Sequence, residues 1–199
     1  AYSSVSQVGL IVLALGFGTT WGVIGAIFHL VNHALFKSLL FLSSGQLELA
    51  AGTNDLREMH GLVRKIPITA ATSMVGSLAL AGIPPLNGFW SKLIIVTAGI
   101  QSGHTGWAIT VVVISIVALA SQLKVQKEAF YGDPSAADES LISVTVPPEP
   151  FQEASLAVAP MILLAIGCAA SSLLVITGLD QPILIGPAAD VLMQGVWTP

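Results

Sequence analysis

The chain has 199 residues, 54% of them hydrophobic and only 9% charged, with a net charge of -4 and a mean hydropathy of +0.84. Soluble domains carry roughly a quarter charged residues, so this composition excludes an ordinary water-soluble globule and points to a chain at home in lipid. There is no basic patch, which excludes nucleic acid as a partner. The one cysteine, Cys168, lies in an apolar stretch with no metal-ligand cluster around it, and reads as a small buried residue.

No signal peptide is visible. The chain opens without Met, as Ala1-Tyr2-Ser3-Ser4-Val5, and runs at once into apolar residues. That reads as a start inside a helix, so a fragment, a processed chain or a partly traced one is expected.

A bilayer core of about 30 Å needs roughly 20 apolar residues in a helix. Residues 5–17 form a first, short apolar run, punctuated at its end by Gly16, Gly18 and Gly22. Residues 21–49 are long enough to cross with tilt, yet they contain His29, His33 and Lys37. Residues 52–65 are polar, with Leu56, Met59 and Leu62 or Val63 at helical spacing. This predicts a short amphipathic helix at the membrane surface, capped by Thr53 or Asn54 and ended near Gly61.

Pro67 suits the first turn of the next helix, which runs to Ala81. Gly82-Ile83-Pro84-Pro85-Leu86-Asn87-Gly88 cannot continue a regular helix. An apolar run over 89–100, containing Lys92, follows the break, and 107–130 forms another clean span ending near Lys124 and Lys127. Residues 133–153 are acidic and proline-containing, and read as a loop outside the membrane. Residues 154–177 are the last span, with Pro160 as a kink, and the tail from Gly178 has no assignable periodicity.

The fold class is therefore all-α integral membrane, with five to six transmembrane segments including one discontinuous helix. Three regions are expected: a membrane domain over 1–130, an acidic extramembrane loop over 131–153, and a terminal helix with its tail over 154–199. Arg57, Arg64 and Lys65 favour a cytoplasmic position for their loop. Lys124 and Lys127 are read on the opposite side, which weakens that orientation.

His29, His33 and Lys37 recur every four residues and so share a helix face about one turn apart. A lysine at mid-membrane costs roughly 2.5 to 3.5 kcal/mol on insertion scales. Such a stripe is tolerated where it faces the protein interior, water or a partner charge. A lysine held out of water can exchange its proton near neutrality, and histidine has both a donor and an acceptor nitrogen. The stripe can thus act as a proton wire; the plainer alternative is that the histidines only tie helices together. Lys92 beside the broken helix is a second ionisable candidate, because broken membrane helices line cavities; its alternative is snorkelling to the interface. Asn32 and Asn87 are expected to be structural. His60 and His104 are read as solvated, and Glu48 as lying at a channel mouth or capping a surface. Gly18, Gly22 and Gly25 are expected to allow close helix packing.

The stretch His29-Leu-Val-Asn-His33-Ala-Leu-Phe-Lys37-Ser-Leu-Leu-Phe-Leu-Ser-Ser-Gly45 resembles a hallmark of the antiporter-like subunits. These subunits occur in proton-pumping NADH dehydrogenase (complex I), in multi-subunit cation/proton antiporters and in membrane-bound hydrogenases. Ala1 to Gln7, Gly61 to Pro67, and Leu80-Ala-Gly-Ile-Pro-Pro85-Leu-Asn-Gly-Phe-Trp-Ser-Lys92 are similar to further segments of that family, in the same order. The resemblance covers roughly residues 1–95. It implies two inverted five-helix repeats in the full family fold, of which this chain matches the second. By that likeness Lys37 is the central channel lysine, His29 and His33 are its relaying histidines, and Lys92 is the terminal ionisable residue on the discontinuous helix. The departure is that the first repeat, with its glutamate and lysine, is absent.

The resemblance implies a proton-translocating subunit of a respiratory or hydrogenase complex. It would be non-catalytic itself, with no metal or cofactor of its own. Its partners would be other membrane subunits and a hydrophilic redox arm, in a prokaryotic cytoplasmic membrane. The alternatives are a subunit of a multi-subunit Na+/H+ antiporter without a redox partner, or a structural subunit of the membrane arm. Residues 123–132 and the Pro-Pro-Leu-Asn-Gly motif lean toward the hydrogenase and antiporter branches.

Overall fold

A computed structural model describes residues 2–56, 59, 61–132 and 155–177, without the side chains of 155–156 and 174–177. Among the described residues there is no strand. The helices are α1 (Tyr2–Gly16), α2 (Thr20–Ala51), α3 (Pro67–Ala81), α4 (Asn87–Gln101), α5 (Thr105–Tyr131) and α6 (Ser155–Thr177), the last with Pro160 inside it. α2 and α5 are each long and apolar enough to cross a bilayer on their own.

Local chemistry sets the helix ends. Thr19 caps α2, its hydroxyl accepting from the Gly22 amide at 3.0 Å, and Gly52 ends it in the left-handed region at φ 72°. α3 starts on Pro67 and stops at Gly82, whose φ of 84° only glycine adopts cheaply.

α2 is the central post, touching α1, α3, α4 and α6. α1 lies against it in a tight hairpin. Gly22 comes so close to the Ala14 carbonyl that a Cβ there would overlap it, and Gly25 meets Ile94 and Ile95 of α4. Gly18 differs from expectation: at φ 62° it makes the turn between α1 and α2.

α3 and α4 run in succession along α2 in the opposite direction. Gly76 faces Leu39 and Leu40, Leu80 packs with Phe36, Asn87 bonds Asn32, and Gly25 meets Ile95. The two helices together therefore form one interrupted rod, broken over 82–86 beside the middle of α2. Gly88 is indispensable to this break, since a Cβ there would run into the Ala79 carbonyl. α6 packs at the same level, with Cys168 among Phe36 and Leu80, and with Ser172 donating to the Pro85 carbonyl.

α5 runs back along the rod. Its start packs near Ala98, and its end closes a cluster of Leu47, Ala50, Met59, Leu62, Ile66, Ala70, Ala129 and Phe130. This cluster corrects two expectations. Among its described residues the segment after α2 has 3-10 backbone at Leu56 and a 3-10 turn at Leu62–Arg64, the latter begun rather than ended by Gly61. No amphipathic α-helix is formed among its described residues. Met59 and Leu62 are buried, and Leu56 and Val63 partly buried, against α2, α3 and α5, so the stripe turns toward the bundle. Arg64 and Lys65 also lie at the same end of the bundle as Lys127, with Lys124 a turn before it. The two basic groups are not on opposite sides. Arg57, His60, the acidic segment 133–153 and the tail 178–199 lie outside the described residues.

Candidate functional site

The site forms where α1, α2 and α4 meet beside the break. His29 on α2 is fully buried. Its Nδ1 is 2.9 Å from Ser91 Oγ on α4, and its Nε2 is 3.1 Å from Gln7 Oε1 on α1. Ser91 Oγ also lies 3.2 Å from the Gly88 carbonyl.

Two hydrogen-bond patterns satisfy this geometry. In one, Nε2–H donates to Gln7 Oε1 and Nδ1 accepts from the Ser91 hydroxyl. In the other, Ser91 donates to Gly88, Nδ1–H donates to Ser91, and a turned Gln7 amide donates to Nε2. The patterns differ in which ring nitrogen holds the proton. Rotating one hydroxyl and one amide resets the ring, which is the elementary requirement of a relay.

One turn along α2, Asn32 faces the start of α4. Its Nδ2 donates to the Asn87 carbonyl at 3.2 Å, and Asn87 Nδ2 donates back to Asn32 Oδ1 at 3.0 Å. This pairing fixes α4 against α2 at the level of the histidine, in keeping with the structural role expected of both asparagines.

Lys92 follows Ser91 directly and is 5% exposed, too little for snorkelling. Its Nζ donates to the Leu80 carbonyl at 2.7 Å and the Ala81 carbonyl at 3.1 Å. These are among the last carbonyls of α3, the negative end of its dipole, where a cation is favoured. Gly82 leaves room for this, because a Cβ there would press on Lys92 Cδ. The broken rod thus builds its own cation seat.

His33 and Lys37 sit apart from this centre. Both are half-buried. Lys37 Nζ donates to Ser3 Oγ on α1 at 2.7 Å and lies 5.8 Å from the Phe41 ring centre. His33 packs edge-on against Phe36, and its buried Nε2 has no partner among the described residues. Eight residues of helix separate His29 from Lys37, a rise of about 12 Å. Proton exchange along the stripe therefore needs water between its members.

The structure joins His29 to the α4 side of the break, next to Lys92, while Lys37 turns to α1. Ser3, Gln7 and Ser91, the stripe's polar partners, escape sequence reasoning because each is a common, uncharged polar residue with nothing local that ties it to α2. Ser3 and Gln7 are spaced by four on one face of α1, and that is the signal available. His104 is exposed, bonded to Ser102 and stacked on Phe17. Glu48 is exposed and accepts from Asn54 Nδ2 at 2.8 Å, so it steadies the end of α2.

The family described as NADH:quinone oxidoreductase/Mrp antiporter, TM, matches residues 1–118. A component of a probable K(+)/H(+) antiporter from Rhizobium meliloti is 33% identical over 192 residues, 94% of this chain and 18% of that protein. Hydrogenase-4 component B of Escherichia coli is 45% identical over 103 residues, 46% of this chain and 15% of that protein. In the Mrp complex from Dietzia sp. DQ12-45-1b, one chain superposes with a TM-score of 0.83 at 29% identity, over 98% of this chain and 42% of that one. The chain thus spans less than half the length of each of these relatives.

Proposed function

Because the chain belongs to the NADH:quinone oxidoreductase/Mrp antiporter transmembrane family, we propose that it forms a proton-translocating half of an integral membrane subunit. Lys37, His33, His29 and Lys92 carry the proton. Neighbouring membrane subunits of a multi-subunit complex relay the charge changes that drive it. Any redox chemistry takes place in a hydrophilic arm, outside this chain, and the membrane is a prokaryotic cytoplasmic membrane. Five spans account for the helices: α1, α2, the α3–α4 rod, α5 and α6.

The observation that carries this reading is the buried His29, held between Gln7 and Ser91 one residue from Lys92. A fully buried imidazole with a polar partner on each nitrogen, beside a broken helix seating a lysine, suits proton transfer better than helix cohesion alone. His29→Leu in the parent complex is expected to lower proton transport into proteoliposomes by about a hundredfold, the scale of a lost acid–base group. The complex should still assemble, and undiminished transport would reduce His29 to a helix tie.

A second reading, an antiporter component with no redox partner, draws support from the K(+)/H(+) antiporter relative, whose similarity extends over 94% of the chain. Purification of the parent complex separates the two. Iron–sulfur or hydrogenase subunits in the complex support the first reading, and their absence supports the second.

Arg64, Lys65, Lys124 and Lys127 share one end of the bundle, so that end is expected to face the cytoplasm. A membrane-impermeant thiol reagent should label Lys124→Cys in inside-out vesicles and spare it in right-side-out ones; the reverse pattern would invert the assignment.

A further inference from the structure

A second buried polar seam lies between α3 and α5. Thr69, Ser73 and Ser77 recur every four residues on α3 and are all buried. Gln126 on α5 reaches across, its Nε2 donating to Ser73 Oγ at 2.8 Å and Ser77 Oγ at 2.9 Å. Ser77 Oγ donates onward to Gln122 Oε1 at 3.2 Å. Ser77 is one turn before Leu80 and Ala81, whose carbonyls hold Lys92. The seam therefore starts at the lysine's seat and follows α3 toward its N-terminus, about 18 Å from Ala81 to Thr69.

Helix cohesion alone leaves part of this seam unexplained. Gln126 is 2% exposed, yet its Oε1 has no partner among the described residues. Gln46 is 4% exposed with the same deficiency at Oε1, and the antiparallel pairing of α2 with α3 puts it level with Thr69. A buried carbonyl oxygen needs a donor, and a polar seam can supply one as internal water. Beyond Thr69 the seam meets Ile66, Ala70, Ala129 and Phe130, each fully or almost fully buried. Such an apolar collar closes a water file by dewetting and passes protons only when it wets.

We propose that the α3–α5 seam is a water-bearing proton lane joining Lys92 to the membrane face that carries Arg64 and Lys65, sealed at its outer end by Ile66 and Phe130. This deepens the proposed function and rests on Lys92 exchanging protons. It gives Lys92 a route that bypasses the histidine stripe.

The test uses the intact parent complex. Ser73→Cys is exposed to silver ions, which pass where water passes. Protection from later maleimide labelling in denaturant is then followed, with Ala98→Cys, buried in apolar surroundings, as the dry control. Silver is expected to protect Ser73→Cys about tenfold faster than the control, and Gln126→Leu should lower proton transport about tenfold without loss of assembly. If Ser73→Cys is as resistant as Ala98→Cys, the seam is dry and the proposal fails, whatever Gln126→Leu does. If it is accessible but Gln126→Leu transports normally, the seam is wet but off the path, and the proposal fails again. Transport by a Lys92 variant is read in parallel. A normal rate there would overturn the role of Lys92 itself, an outcome distinct from failure of the lane.

Discussion

Lys92→Arg is expected to assemble normally and to transport protons at about one hundredth of the normal rate or less, the scale of a lost proton-transfer group. Lys92 Nζ holds the Leu80 and Ala81 carbonyls where α3 stops. Arginine keeps the positive charge and the donors at that seat, but it does not release a proton in proteins. The substitution thus separates the cap of a broken helix, which the geometry shows, from the proton exchange proposed for the same side chain. Lys92→Met is the complement. It leaves two carbonyls unpaired, at a cost of about 1–3 kcal/mol each, so it should reduce both the amount of assembled protein and transport. Proton transport in proteoliposomes, normalised to protein content, decides the matter. Normal transport by Lys92→Arg would make the lysine a structural cap.

The second large effect falls on a residue with no side chain. Gly88→Ala is expected to destabilise the protein by about 3 kcal/mol, the upper range for overpacking, because the added methyl meets the backbone carbonyl of Ala79 and no flexible side chain can yield. Relief requires α4 to move away from α3. That would pull Asn87 from Asn32 and Ser91 from His29, so transport should fall together with abundance. Gly9→Ala is the matched control, since a Cβ there has open space. Protein content and thermal inactivation of the purified complex give the comparison. Equal behaviour of the two variants would show that the break tolerates rearrangement.

The helices are largely legible in the sequence because each is a mainly apolar run of helical length, and the break is legible because two prolines between glycines permit nothing regular. The interrupted rod and the main helical runs follow the sequence within a few residues. The described residues of the segment after α2 depart from the expected helix because apolar residues spaced by three or four also suit tight turns packed into a core. Their helical spacing serves burial of Leu62 and Met59 rather than a surface stripe. Lys124 and Lys127 are brought to the end holding Arg64 and Lys65 by the way α5 closes on Ile66 and Ala70, a long-range contact that periodicity does not encode.

The candidate site is half legible. Three ionisable residues spaced by four stand out in an apolar run, since each is expensive there. Their partners do not stand out: Gln7, Ser91 and Ser3 come from other helices and are cheap enough to occur anywhere. The spacing Thr69-Ser73-Ser77 is equally present in the sequence. It carries no charge, and small hydroxyl residues in membrane helices more often serve packing. Gln126, reaching across from α5, joins Ser73 to Ser77, and with Gln122 it turns that part of the stripe into a connected seam.

The central claim is that Lys37 and the groups beside it carry protons, and proton uptake by proteoliposomes holding the intact parent complex tests it most directly. Wild type and Lys37→Ala are compared while turnover is followed in the same vesicles, by electron transfer or by counter-ion movement. The expected result is that proton uptake collapses in Lys37→Ala while the complex remains assembled and some turnover survives. Proton uptake per turnover equal to that of wild type would contradict the account and leave this chain a structural part of its membrane complex.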